Sequence, residues 1–166
     1  QDAVYEKGIM NVYDMHLISD PSEIELGKIS REAGEAAFQY VVKAIHLAMA
    51  DEVDGTITNA ISKEAINLAG HHYSGHTEIY ADYTEKYCMM LAHNDFRVAH
   101  VSTHVSLREA CDRCKKERIL DVIEMADEVC RDLGITDPKV AVAGLNPHCG
   151  EHGMFGREEI EEIEPA

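Results

Sequence analysis

The chain has 166 residues, of which 45% are hydrophobic, and a formal net charge of −16 at pH 7. The length suits a single domain, and no run approaches the roughly 20 apolar residues that a membrane span needs. The acidic charge argues against nucleic acid or anionic lipid as a partner, because phosphate-rich surfaces require clustered Lys and Arg.

The N-terminal half of the chain alternates predicted strands and helices. The apolar run 9–18 is typical of a strand, and a helix is predicted after Ser30, a good N-cap residue. A short buried strand is predicted at 53–59, and the helix after it closes at Gly70. Another helix is predicted to begin at about Thr77. The first helix has apolar residues at three- and four-residue spacing: Ala33, Ala37, Phe38, Val41, Val42, Ile45 and Met49.

The C-terminal half continues the alternation. Two strands, 87–93 and 97–103, are joined by a tight polar loop, and Ser106 begins a capping box. Residues 107–133 are predicted to be helical, with a break near "CKKE". A last strand is predicted at 139–144, followed by a Gly-rich loop and a final acidic helix.

Alternating strands and helices predict an α/β fold with a largely parallel sheet flanked by helices. We predict one α/β unit over residues 1–166. Ligands of such sheets bind beyond the carboxyl ends of the strands. The three predicted strand exits, "TNAISK", "STHVSLR" and "GLNPHCGEHG", all carry polar or metal-capable side chains.

His104 and His148 each follow a predicted strand directly. Imidazole is the commonest nitrogen ligand of divalent metals, and two such ligands leave room for a third protein group and for substrate. The alternative interpretation is that each histidine only makes local hydrogen bonds. Because both histidines follow a predicted strand in the same way, the metal-ligand and the local hydrogen-bond interpretations are about equally supported.

The stretch "SGHTE" precedes a predicted helix. His76 and the helix N-terminus after Thr77 would face an anion, or the stretch is a plain N-cap turn. Lys63, just past the 53–59 strand, is a candidate for neutralising a phosphate or carboxylate, and is equally well interpreted as a surface lysine.

The loop "GLNPHCGEHGMFG" contains four glycines, which suggests that its backbone lies close to a ligand. Cys149 is interpreted as a small buried thiol rather than a ligand. Cys111 and Cys114 form a lone CxxC pair, interpreted as incidental because no second pair has suitable spacing. No Rossmann fingerprint, P-loop or serine nucleophile elbow is present.

"GHTE", "STHVSLR" and "GLNPHCGEHGMFGREE" together resemble the 4-hydroxythreonine-4-phosphate dehydrogenase family, from about Gly27 to the end of the chain. The resemblance implies part of a two-domain fold like that of isocitrate and isopropylmalate dehydrogenases, in a homodimer. It implies NAD- or NADP-dependent oxidation of a small phosphorylated hydroxy acid, such as 4-phosphohydroxythreonine, with decarboxylation of the keto acid. The implied pathway is pyridoxine biosynthesis or related sugar-acid catabolism.

Carried over by motif, the resemblance implies that His76 and Thr77 bind substrate. His104 and His148 would be two of three histidine ligands to a divalent metal, which would be zinc, magnesium, manganese or cobalt. The family's third metal histidine lies in a later "HDQG" motif that this sequence lacks. His152 stands where glycine is usual in the family.

The chain is therefore expected to be a central fragment of such an enzyme. A competing hypothesis is a catalytically incomplete module that binds metal or anions, and a weaker one is a structural scaffold. With no visible secretory leader and an odd number of cysteines, five, the predicted location is the cytoplasm.

Overall fold

A computed structural model describes residues 3–166 of the chain. The sequence predicts one α/β unit over residues 1–166, whereas the described residues pack as two compact units that divide between Tyr83 and Thr84. No helix within the described range combines the length and apolar character needed to cross a membrane.

Within residues 3–83 the first unit contains three α-helices, and the predicted caps are found at the start of the first and at the end of the second. Helix α1 (Arg31–Met49) follows Ser30, whose Oγ accepts a hydrogen bond from the Ala33 N–H at 3.2 Å. Helix α2 (Lys63–Ala69) ends at Gly70 in the left-handed region, with φ of 105°. Helix α3 (His76–Ala81) follows. A 3-10 turn, Pro21–Glu23, precedes α1.

The core of this unit lies between the three helices. Helices α1 and α2 approach so closely at Gly34 that a Cβ there would overlap the Ala65 carbonyl. Met49, the last residue of the apolar spacing that predicts this helix, is exposed. The buried cluster consists of Phe38, Val41, Val42, Ile45, Ile66 and Ile79.

The second unit contains a β-hairpin and two helices. Strands β1 (Met89–His93) and β2 (Phe96–His100) pair antiparallel, and α5 (Lys116–Asp132) packs against β2. Helix α4 (Leu107–Asp112) lies between the hairpin and α5 along the chain, so the predicted break in this helical region is confirmed.

Two short helical segments end the second unit. They are a 3-10 segment, Pro147–Gly153, and a π-helical turn, Glu159–Ile163. The final helix predicted from the acidic residues is therefore present as a π-helical turn, which packs against both α5 and the 3-10 segment.

The largely parallel sheet predicted from the sequence is not confirmed, because the hairpin is the one sheet within residues 3–166. The predicted strands at 9–18, 53–59 and 139–144 have no ladder partner in this range and carry no regular secondary structure. A strand depends on hydrogen bonds to a neighbour, so an apolar run alone does not make one. The two-residue link at Asn94 and Asp95 itself favours an antiparallel pair.

Candidate functional site

The "GHTE" motif forms the start of α3. Gly75 is the N-cap in an extended conformation, and His76 is the first helical residue. The His76 Nε2 and Glu78 Oε2 atoms are buried and have no hydrogen-bond partner among the described residues. Because unpartnered buried polar atoms are costly, both atoms are suited to bonding a ligand or further polypeptide.

Lys63 lies beside this motif. It is exposed at the start of α2, and its Cε is 4.0 Å from the position that a Cβ on Gly75 would occupy. The Glu78 Oε2 lies 3.5 Å from the same position. The structure thus brings Lys63 and Glu78 to the glycine before His76, with Thr77 partly buried next to it.

An open depression of about 480 Å³ borders the motif. The Tyr73 hydroxyl donates a hydrogen bond to Asp82 Oδ2 at 2.5 Å, and this bond raises the pKa of Tyr73 to about 12. The two carboxylates in the lining make the depression better suited to hydrogen-bond donors than to a phosphate. Its lining residues are Gly70, His71, His72, Tyr73, Glu78 and Asp82.

A histidine that the sequence interpretation missed ties this segment to α1. The His71 Nε2 and Glu35 Oε2 atoms are 2.7 Å apart, and the His71 ring stacks on Phe38 with centroids 3.6 Å apart. Hydrogen bonds from Gln39 first, and then His71, hold the pKa of Glu35 below its usual range. A histidine at 71 and a carboxylate 36 residues earlier share no sequence motif, so only the packing of the helices reveals the pair.

In the second unit, His104 lies in the loop between β2 and α4, as predicted. Its side chain is exposed, and its backbone adopts a left-handed conformation with φ of 55°. The Arg118 Nε of α5 donates a hydrogen bond to the Val101 carbonyl at 3.0 Å and so fixes the end of this strand. The Arg118 guanidinium also lies 5.2 Å above the Tyr87 ring.

His148 belongs to a left-handed turn, which we define as residues 148–152. All five residues have positive φ, from 42° to 78°, and only Gly150 among them is a glycine. Each non-glycine residue in this conformation costs about 1–2 kcal/mol, so the turn is strained. The His148 side chain is exposed, with its ring centroid 6.3 Å from that of Phe155. Cys149 is exposed as well, so the prediction of a buried thiol is wrong.

Glu159, in the π-helical turn, contacts the chain just before the left-handed turn. It is 4% exposed, and its Oε1 accepts hydrogen bonds from the Leu145 N–H at 2.8 Å and the Asn146 N–H at 2.6 Å. These bonds, the one from the Asn146 backbone above all, hold the pKa of Glu159 below its usual range. The acidic run 158–164 predicts a solvated helix face, and for Glu159 that prediction is wrong.

The side chains of the second unit meet only some of the requirements of a metal site. Neither the His104 nor the His148 imidazole has a hydrogen bond within residues 3–166, and neutral imidazole binds divalent transition metals well. In the same range, however, no three His, Cys, Asp or Glu side chains group as a metal site requires. The five cysteines are all free, and Cys111 and Cys114 form no part of such a group.

Comparison with known proteins shows that the chain is similar to solved enzymes named 4-hydroxythreonine-4-phosphate dehydrogenase. The chain superimposes on the crystal structure of a 4-hydroxythreonine-4-phosphate dehydrogenase from Burkholderia phymatum with a TM-score of 0.82 and 37% identity, covering 99% of this chain and 50% of that one. For the enzyme of the same name from Klebsiella pneumoniae the TM-score is 0.80 and the identity 42%, covering 89% of this chain and 45% of that one.

A model of the family "Pyridoxal phosphate biosynthetic protein PdxA" matches residues 2–166. The D-threonate 4-phosphate dehydrogenase of Pectobacterium atrosepticum is 44% identical over 167 aligned residues, which cover 99% of this chain and 51% of that protein. The chain belongs to the PdxA family, and the match begins earlier than the resemblance noted from Gly27. The chain spans about half the length of the curated relatives it matches.

Proposed function

We propose that this chain supplies substrate-binding and metal-binding residues of an NAD- or NADP-dependent dehydrogenase for a small phosphorylated hydroxy acid. The observation that carries the proposal is the 44% identity, over 99% of the chain, to a D-threonate 4-phosphate dehydrogenase. 4-Phosphohydroxythreonine and threonate 4-phosphate are the leading substrates, by the names of the relatives. The proposal includes a homodimer located in the cytoplasm and, for the hydroxythreonine substrate, decarboxylation of the keto acid.

The first unit would bind the substrate. The cationic Lys63 lies beside Gly75, whose lack of a side chain lets a ligand approach the backbone before His76. The His76 Nε2 is buried and unpartnered within residues 3–166, so a substrate oxygen would satisfy it. The Thr77 hydroxyl follows directly and would donate or accept a further hydrogen bond.

The second unit would hold the metal through His104 and His148. A group other than these two histidines would supply a further ligand. A bound divalent metal would supply Lewis acidity toward the substrate oxygen, and a bound nicotinamide cofactor would supply the hydride acceptor. The contribution of this chain's own residues is placement. Arg118 fixes the strand end before His104, and Glu159 fixes the chain before His148.

The test is NADH formation with zinc, magnesium or manganese, using 4-phosphohydroxythreonine, threonate 4-phosphate and erythronate 4-phosphate as substrates. Turnover that disappears in His104→Ala and in His148→Ala would support the proposal. His93→Ala is the matched control, since His93 is an exposed histidine of the same unit outside the proposed site.

Affinity for Zn²⁺ provides a second measurement. We expect His104→Ala and His148→Ala each to weaken Zn²⁺ binding more than about tenfold, since each removes a direct ligand. Zn²⁺ binding without turnover would favour the competing hypothesis of a module that binds metal without catalysis. Equal affinity in the parent and both variants would rule out the two-histidine site.

A further inference from the structure

The backbone around His148 is strained, so something in the fold must hold it. His148, Cys149, Glu151 and His152 all have φ between 42° and 53°. No side-chain hydrogen bond caps the start of this 3-10 segment, and the His148 side chain itself is exposed. Backbone hydrogen bonds, such as the one from the Phe155 N–H to the Gly150 carbonyl at 3.1 Å, give the turn part of its support. Side-chain support has to come from the residues that flank the turn.

Glu159 provides that support from the π-helical turn. Its Oε1 accepts the two successive backbone N–H groups of Leu145 and Asn146, and its Oε2 accepts the Asn146 side-chain Nδ2 at 2.9 Å. A second bond from Nδ2, to Glu158 Oε2 at 2.6 Å, holds the Asn146 amide in place. One buried carboxylate thus fixes the chain immediately before Pro147 and His148.

The same carboxylate also packs against the turn itself. A Cβ on Gly150 would lie 2.8 Å from Glu159 Oε2, and a Cβ on Gly144 would lie 3.4 Å from Oε1. Real Cβ atoms do not tolerate the shorter of these distances, so the backbone of Gly150 lies directly on the carboxylate. Glu159 therefore touches the segment both before and within the left-handed turn.

We propose that Glu159 is the positioning residue for His148. Its buried carboxylate holds the entry to the turn and the backbone of Gly150, and so fixes the direction in which the His148 imidazole points. Glu159 does not itself bind a metal or substrate. The inference rests on the proposed function only for what His148 binds, and not for how the turn is held.

The first test observes the turn in the chain without metal, by backbone NMR chemical shifts. In Glu159→Gln we expect the signals of residues 148–152 to move toward those of an unstructured peptide, while the signals of α5 stay in place. Glu164→Gln, which removes the same charge from an exposed neighbouring position, should move neither the signals of residues 148–152 nor those of α5. Unchanged signals of residues 148–152 in Glu159→Gln would overturn the inference.

If Glu159→Gln does not fold, Asn146→Ala replaces it, because that variant removes only the side-chain donor. A smaller movement of the same signals is then expected, and no movement again overturns the inference.

The second test asks whether Glu159 acts through His148, by measuring Zn²⁺ affinity in a double-variant cycle. Glu159→Gln should weaken Zn²⁺ binding about tenfold, as is typical when a residue that orients a metal ligand is changed. Added to His148→Ala, it should weaken binding no further. Additive losses would show that Glu159 acts elsewhere and would overturn the inference. If His148→Ala binds Zn²⁺ as tightly as the parent, the proposed metal role fails, and the NMR test alone decides the role of Glu159.

Discussion

Tyr73 illustrates how single side chains shape the depression beside the "GHTE" motif. Its hydroxyl donates to Asp82, a carboxylate at the end of α3. Its ring lies 5.7 Å from that of Phe38, next to the stacked His71. A hydrogen bond to a carboxylate disfavours the phenolate, because removing the proton would bring two negative charges together.

The first prediction concerns the ionisation of Tyr73. Its pKa should lie near 12 in the folded chain, above the ordinary value of 10.0. Because the folded-state pKa is raised, the stabilisation by this bond is fully present below pH 10 and is lost as the pH rises through 12. The measurement is the difference in phenolate ultraviolet absorbance between the parent and Tyr73→Phe. A difference that titrates at the ordinary pKa would contradict the bond to Asp82.

The second prediction concerns the core of the first unit. Ile66 of α2 is 0% exposed in the core of this unit, so Ile66→Ala should lower the free energy of unfolding by about 2–5 kcal/mol. Leu68→Ala, two residues along the same helix and 55% exposed, should change it by only about 0.5 kcal/mol. Urea unfolding measures both, and equal losses would show that α2 does not pack as described.

At the scale of elements, local chemistry predicted helices well and strands poorly. Ser30 and Ser106 each accept the hydrogen bond predicted for an N-cap, because capping involves only residues three apart. Ser62 accepts the same bond at the start of α2. The hairpin at 89–100 was likewise predictable from its tight turn. The run 139–144 has the composition of a strand, but a strand partner is a long-range property that its own residues do not specify.

The features of the candidate site likewise divide into those that adjacent residues predict and those that depend on long-range contacts. His104 follows β2, which the sequence predicted from adjacent residues. The left-handed conformation of His148 and the burial of Glu159 depend on contacts between residues 13 or 14 apart, and no spacing rule indicates them. The roles of His76, Thr77, Lys63, His104 and His148 stay predictions.

The third prediction concerns the start of α5. Lys115 precedes this helix without a side-chain cap, and Glu162 takes that place by accepting hydrogen bonds from Lys116 N–H at 2.9 Å and Lys115 Nζ at 2.8 Å. The Lys115 bond above all lowers the pKa of Glu162 from its ordinary value of 4.5. Because the folded-state pKa is lowered, the stabilisation is present above pH 4.5 and is lost as the pH falls through the lower value.

Glu162→Gln should therefore unfold more readily than the parent at neutral pH and no more readily in acid. Urea unfolding across a pH series measures the difference. Glu164→Gln, which changes an exposed glutamate of the same segment, is the control. A difference between Glu162→Gln and the parent that does not vary with pH would contradict the charged cap.

At the scale of the whole molecule, the exposed apolar side chains stand out. Ile57, in a segment without regular structure, is 103% exposed. On the hairpin, Leu91 lies opposite Val98, and both are exposed together with Phe96. Exposed apolar clusters and unpaired strand edges promote association, which the large negative charge opposes.

The fourth prediction follows from the opposition between apolar attraction and charge repulsion. Self-association should increase as the pH falls from 7, where the formal charge is −16, toward the isoelectric point of about 4.9. Sedimentation velocity across this range measures it. Leu91→Ser together with Phe96→Ser should reduce the association, and Thr136→Ser, at an exposed uncharged position, should not. Association that is independent of both pH and the hairpin would contradict this account.

The close contact of Gly34 with Ala65 has a consequence for how the family can vary. Any side chain at position 34 must push α2 away from α1, and Lys63 lies only two residues before Ala65. A substitution in α1, outside the candidate site, would thus displace a candidate substrate-binding residue. In a saturation mutagenesis screen for activity, position 34 should tolerate as few replacements as the site itself. Because the overlap is with the backbone of α2, no change of a side chain in α2 should restore activity.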